Sequence, residues 1–159
     1  MRRVRSEALK HKGVALLIAA ALVAVDQITK AWVLRSIPMG DRIVLIPGVL
    51  QLRVFENQGV AFSMFRNAGT ILIIGIVIAV VVILFALKSS EGWLQAISLG
   101  VVLGGALGNL VDRVVRGSGL LDGKVVDWID VPFFSTFNVA DSAITIGVIL
   151  LLIASFRRQ

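Results

Sequence analysis

The sequence predicts a membrane protein, mainly α, with four transmembrane helices, a small extracytoplasmic β-sheet or hairpin and an interfacial loop. Three observations predict it. The hydrophobic fraction of 57% with only 16% charged residues, and a mean hydropathy of +0.92, are wrong for a soluble domain. Four apolar stretches approach the about 20 residues that a spanning helix needs, at roughly 14–34, 69–87, 94–112 and 139–156. Two segments of a different character, roughly 36–67 and 114–138, lie between them and are expected outside the bilayer. At 159 residues the chain reads as a single integral membrane domain.

The basic residues explain the first and last elements. Arg2, Arg3, Arg5, Lys10 and Lys12 precede the first span, and Arg157 and Arg158 follow the fourth. With Lys88 between the second and third spans, they place both termini on the cytoplasmic side. The formal net charge of +6 is concentrated at these ends. No basic stripe interleaved with aromatics runs through the interior, so a nucleic-acid partner is excluded. The first stretch also has the outline of a cleaved secretory signal. Because its apolar pattern resumes beyond Lys30, a retained span is the better reading.

Segment 36–67 holds Pro38, Gly40, Pro47, Gly48 and Gly59, and LQLRVF (50–55) alternates apolar and polar residues, as a strand does. The second span carries no charge between Arg66 and Lys88. The third is rich in glycine, and Gly100, Gly104 and Gly108 recur at a spacing that lets helix backbones approach closely. Asp112 and Arg113 end it, and a glycine-bearing polar loop follows.

The chain has no cysteine, which excludes disulfides, thiolate metal sites and a thiol nucleophile. Its one histidine, His11, lies in the basic tail and reads as solvated. Neither a metal nor a cofactor is expected, and the chemistry falls to carboxylates, amides, Lys, Arg or hydroxyls. Asp26 and Lys30 are one helical turn apart and can pair. Asn109 and Asp112 share a helix face beside Arg113. For both groups a packing role is at least as good a reading as catalysis.

Asp127 and Asp141 stand apart, because neither has a basic neighbour within a helical turn. They flank one short loop of the outer segment, with Asp122 and Asp130 as competitors. Asp141 also suits the N-cap of the fourth helix, although Asn138 can cap equally well and leave Asp141 free. Two neighbouring carboxylates cannot both ionise comfortably, so they share a proton. The ionised member can then deprotonate a water while the protonated one polarises a peptide carbonyl. Trp128, Phe133 and Phe134 suit a membrane interface.

The motifs DQITK (26–30), ENQGVAFS (56–63), GGALGNLVDR (104–113), VVDWID (125–130) and FNVADSA (137–143) occur in the order of the bacterial lipoprotein signal peptidases, the type II signal peptidases, which this sequence resembles over most of its length. The resemblance implies an intramembrane aspartyl endopeptidase of the bacterial cytoplasmic (inner) membrane, with its active site at the outer face. It would remove the signal peptide from diacylglyceryl-modified prolipoproteins, cutting before the lipidated cysteine. It implies Asp127 and Asp141 as the catalytic dyad, with Asp26, Lys30, Asn57, Asn109, Asp112, Arg113 and Asn138 supporting it or contacting substrate. It also implies membrane lipid as a partner and cyclic peptide antibiotics as inhibitors. Two other readings compete: a small proton- or ion-translocating bundle with the aspartates as a relay, and a non-catalytic assembly factor.

Overall fold

The computed structural model describes residues 2–59, 68–117 and 123–157. The element order is α1 (Arg2–Ser36), β1 (Arg42–Ile46), β2 (Leu50–Asn57), α2 (Ala68–Lys88), α3 (Trp93–Val115), β3 (Val125–Asp130) and α4 (Val139–Phe156). Among the described residues, four helices are long and apolar enough to cross a membrane. At about 1.5 Å per residue, α1 is longer than the bilayer core, and it extends beyond the expected 14–34 at both ends.

Helix α3 is the centre of the bundle because its glycines remove the side chains that would hold neighbours away. A Cβ on Gly100 would lie 2.4 Å from the Ala15 carbonyl oxygen of α1, and one on Gly105 would lie 2.4 Å from that of Ala140 in α4. The glycine face is thus two faces, one for each neighbour. Gly105→Ala must push α4 away and is expected to destabilise the protein by about 1–3 kcal/mol. Thermal unfolding in detergent checks this, and an unchanged midpoint would contradict the close approach. The outward sides of α2 and α4 expose Ile74, Ile78, Phe85, Ile149 and Leu152, as a lipid-facing surface requires.

The three strands form one antiparallel sheet in the order β1-β2-β3. The alternation in β2 holds, with Leu52 and Val54 buried while Arg53 and Phe55 are exposed. Leu52 and Val54 pack on Val33 and Ile37 at the end of α1, with Trp128 against the same cluster. This contact seats the sheet on the bundle.

Three expectations need correction. Part of the expected interfacial loop is β3, which puts Asp127 opposite Phe55 of β2 rather than in irregular chain. Trp128 belongs to the cluster beneath the sheet, whereas Phe133 and Phe134 are indeed exposed, Phe133 at φ +70°. His11 is buried, edge-on to Trp93 with ring centroids 5.7 Å apart, because α1 continues through the basic tail and carries His11 against the start of α3.

Candidate active site

Asp127 reaches the site from β3 and Asp141 from the first turn of α4. Both line one cavity of about 350 Å³, together with Asn57, Asn109 and Arg113. Its remaining wall is apolar, and Leu72, Ile76, Ala79 and Ile83 supply one face of α2. The spacing of those four residues follows the helical repeat, so the wall extends about 16 Å along the helix axis.

Each carboxylate is held by amides. Asp127 Oδ2 accepts from Asn57 Nδ2 at 2.9 Å, and its Oδ1 accepts from Asn138 Nδ2 at 2.7 Å. Asp141 Oδ1 accepts from Asn109 Nδ2 at 2.8 Å, and its Oδ2 accepts from the Asn138 backbone N–H at 3.1 Å. The orientation of Asn57 follows from its turn. Its Oδ1 accepts the Gly59 N–H at 2.8 Å, which leaves Nδ2 to face Asp127. Gly59 sits at φ +82°, a conformation that favours glycine. The remainder of that motif, including Phe62 and Ser63, lies outside the described residues.

Asn138 joins the two carboxylates. It is the N-cap of α4: its Oδ1 accepts the Asp141 N–H at 2.9 Å, and Asp141 answers as the other half of a capping box. Asp141 is therefore not released from capping by Asn138, as the sequence had implied; it shares in the cap. One oxygen of a carboxylate can accept at the helix start while the other faces the cavity.

Asp127 is 1% exposed. Burial pushes its carboxyl up to about 6, and the nearby Asp141 charge adds to the rise. The Asn57 and Asn138 hydrogen bonds and the Lys30 charge act in the opposite direction. Arg113 is buried beside the pair, and its Nε has no partner among the described residues. Its guanidinium group lines the cavity as a cation.

The other expected residues gather behind the pair. Lys30 Nζ lies 2.8 Å from Asp26 Oδ2 and 2.7 Å from Asp112 Oδ2, and it donates to Asn109 Oδ1 at 3.1 Å. Asp26 lies well inside α1, not at a helix end. Asp130 is engaged away from the cavity by Gln51, at 2.6 Å, and Asp122 lies outside the described residues. Sequence reasoning left Gln27 and Arg116 out of the site. Gln27 donates to Asp112 Oδ1 at 3.0 Å, and Arg116 donates to the same oxygen at 2.8 Å. The i,i+4 spacing of Asp112 and Arg116 was the available signal. No group of three or more His, Cys, Asp or Glu is gathered to hold a metal among the described residues.

The family model described as signal peptidase (SPase) II matches residues 18–157. The chain is 44% identical over 139 residues to a lipoprotein signal peptidase of Rhodococcus jostii, an alignment covering 86% of this chain and 69% of that one. It is 43% identical over 149 residues to that of Streptomyces coelicolor, covering 91% and 72%. With that of Pseudomonas aeruginosa it shares 38% over 151 residues, covering 91% and 88%. Two bacterial membrane enzymes solved by the in meso method superpose with TM-scores of 0.83 and 0.80, each at 32% identity. They cover 92% and 91% of this chain, and 95% and 88% of their own lengths. The five motifs, the four-helix bundle with its sheet and these similarities agree: the chain is a membrane peptidase of the signal peptidase II family.

Proposed function

We propose that this peptidase is an intramembrane aspartyl endopeptidase that removes the signal peptide from diacylglyceryl-modified prolipoproteins, cutting before the lipidated cysteine. The observation that carries the reading is that Asp127 and Asp141 open onto one apolar cavity and are linked through Asn138. A lipid-modified substrate keeps its scissile bond close to the bilayer, and an apolar cavity walled by α2 suits such a substrate.

In this reading the pair holds one proton, placed on Asp127 by its burial. Ionised Asp141 takes a proton from water as the oxygen attacks the scissile carbonyl. Asp127 donates to the developing oxyanion and recovers that proton as the tetrahedral intermediate collapses, while Asp141 passes the proton it took from water to the leaving amine. Arg113 is positioned to hold a substrate carbonyl. The basic ends favour cytoplasmic termini in the bacterial inner membrane, with the dyad at the outer face. Phe133 and Phe134 would anchor the adjoining loop in the interface, and cyclic peptide antibiotics would inhibit by occupying the cavity.

The relay reading is disfavoured because the buried acids Asp26, Asp112 and Asp127 are joined around a single site, whereas a translocation path needs groups at successive depths. The test is cleavage of a prolipoprotein peptide in lipid, with and without the diacylglyceryl group. Cutting before the cysteine only in the modified peptide is the expected result. Equal cleavage of both would remove the lipid from the specificity, and no cleavage of either would end the reading.

The free enzyme is expected to lose the shared proton near pH 6, so kcat/KM should fall above that pH by about tenfold per unit. Asn57→Ala removes a hydrogen bond that lowers the Asp127 value, so its alkaline limb moves to higher pH. A limb that stays in place would contradict the proton assignment.

A further inference from the structure

Asp26, Lys30 and Asp112 are fully buried charges, and no step above uses them. Lys30 binds both carboxylates, and each carboxylate has a second partner. Asp26 Oδ1 accepts the backbone N–H of Ala140 at 3.0 Å. Asp112 Oδ2 accepts the backbone N–H of Val126 at 3.1 Å. Ala140 immediately precedes Asp141, and Val126 immediately precedes Asp127. The two aspartates are thus held in the same way, each through the amide just ahead of it.

We infer that Lys30 is the positioning residue of the dyad: it braces Asp26 and Asp112 as two struts, each fixing the backbone immediately before one catalytic aspartate. The inference rests on the aspartyl-protease reading. A third contact serves the same end. Asn109 Oδ1 accepts from both Lys30 Nζ and Asn138 Nδ2, each at 3.1 Å, and this commits the Asn109 NH2 to Asp141. One ammonium therefore acts on three supports, Asp26 in α1 and Asn109 and Asp112 in α3.

The charge balance allows such a group to stay buried. Lys30 and Arg116 offset Asp26 and Asp112, and Gln27 donates to both carboxylates, at 3.2 and 3.0 Å. A buried ionic cluster is weak evidence for stability, since an apolar cluster of the same volume often does as well. Directional bonds to two particular amides are something an apolar cluster cannot supply. Helix α1 touches β3 and α4 much less than it touches α3, so the bond from Asp26 to the Ala140 amide ties α1 to an element it otherwise meets at few points. The charged groups around the site are Asp26 and Lys30 from α1, Asp112 and Arg113 from α3, Arg116 at its C-cap, Asp127 from β3 and Asp141 from α4. The Lys30 charge also lowers the proton affinity of Asp127.

The experiment compares wild type, Lys30→Met and the triple variant Lys30→Met/Asp26→Ala/Asp112→Ala. Cleavage of the lipidated peptide is measured against pH, and amide hydrogen exchange at Val126 and Ala140 is measured without substrate. The expected result is a fall in kcat of about 100-fold or more for Lys30→Met, with KM within about twofold. Its alkaline limb should move to higher pH. Exchange at Val126 and Ala140 should quicken in both variants, while amides inside α2 stay protected. The triple variant removes Lys30 together with both carboxylates it binds and leaves only the partly exposed Arg116 without its acceptor, so it covers the case in which Lys30→Met does not fold. Wild-type turnover in either folded variant overturns the inference, and so does unchanged exchange at both amides. If wild type itself does not cleave, the function reading fails and the exchange at Val126 and Ala140 alone decides whether the struts exist.

Discussion

Asp127→Asn and Asp141→Asn are each expected to lower kcat by about 10³-fold or more, because each removes one half of a proton-transfer pair. Binding should survive, since Asn has nearly the same shape as Asp and the apolar wall is untouched. The two variants should differ in stability. Asp127 goes from 3.8 to about 6 on folding, so the native state binds its proton more tightly than the unfolded state. Its contribution to stability is therefore fullest below pH 3.8, shrinks as pH rises to about 6, and is absent above that. A shift of that size corresponds to about 3 kcal/mol at 1.36 kcal/mol per unit. Asp127→Asn should lack this loss between pH 4 and 6, offset in part because one of the two amide donors facing the side chain is left without an acceptor. Cleavage assays with the lipidated peptide, together with thermal midpoints across that pH range, test both statements. Substantial cleavage by either variant breaks the dyad, and parallel midpoint curves for wild type and Asp127→Asn contradict the burial argument.

The second large effect is expected at Asn138, where one side chain caps α4 and bonds to both aspartates of the proposed dyad. Asn138→Ala removes the cap, the donor to Asp127 and the donor to Asn109. Loss of a cap alone costs about 1 kcal/mol, and the buried acceptors left unpaired add a further 1–3 kcal/mol or so. Activity should fall about 100-fold, as misplaced catalytic groups do. Asn138→Asp separates the two roles. Asp is as good an N-cap as Asn, so the helix start is kept. The new carboxylate cannot donate, however, and it brings a further negative charge to the pair. Helix stability close to wild type with activity as low as in Asn138→Ala is the expected outcome. Full activity in Asn138→Asp would show that the donor to Asp127 is dispensable.

The bundle was legible in the sequence because spanning helices are specified locally, by length and apolar content. Segments 69–87 and 139–156 could be read without knowing what they pack against, and the helices there are α2 and α4. The hairpin alternation in 50–55 was legible for the same reason, because every second side chain of β2 turns to the core. The strand at Val125–Asp130 was not legible. VVDWID carries a charge in the middle of a short apolar run, and only its pairing with β2 makes a strand of it. His11 was misread because a helix was assumed to begin after the basic tail, where solvation is the default.

By itself, the sequence determined the number of spans, the absence of thiol chemistry and the short list of side chains from which a reaction could be built. These follow from composition and from periodicities of a few residues. Which polar groups meet was decided only by the tertiary structure. Asn57 and Asp127 are 70 positions apart, and Asp26 and the Ala140 amide are 114 apart. Pairing of β2 with β3 closes the first distance, and the glycine-permitted approach of α1 and α4 to α3 closes the second to hydrogen-bond length. No local pattern encodes that closeness, because it depends on missing side chains at Gly100, Gly104 and Gly105 opposite backbone that lies far away in the chain.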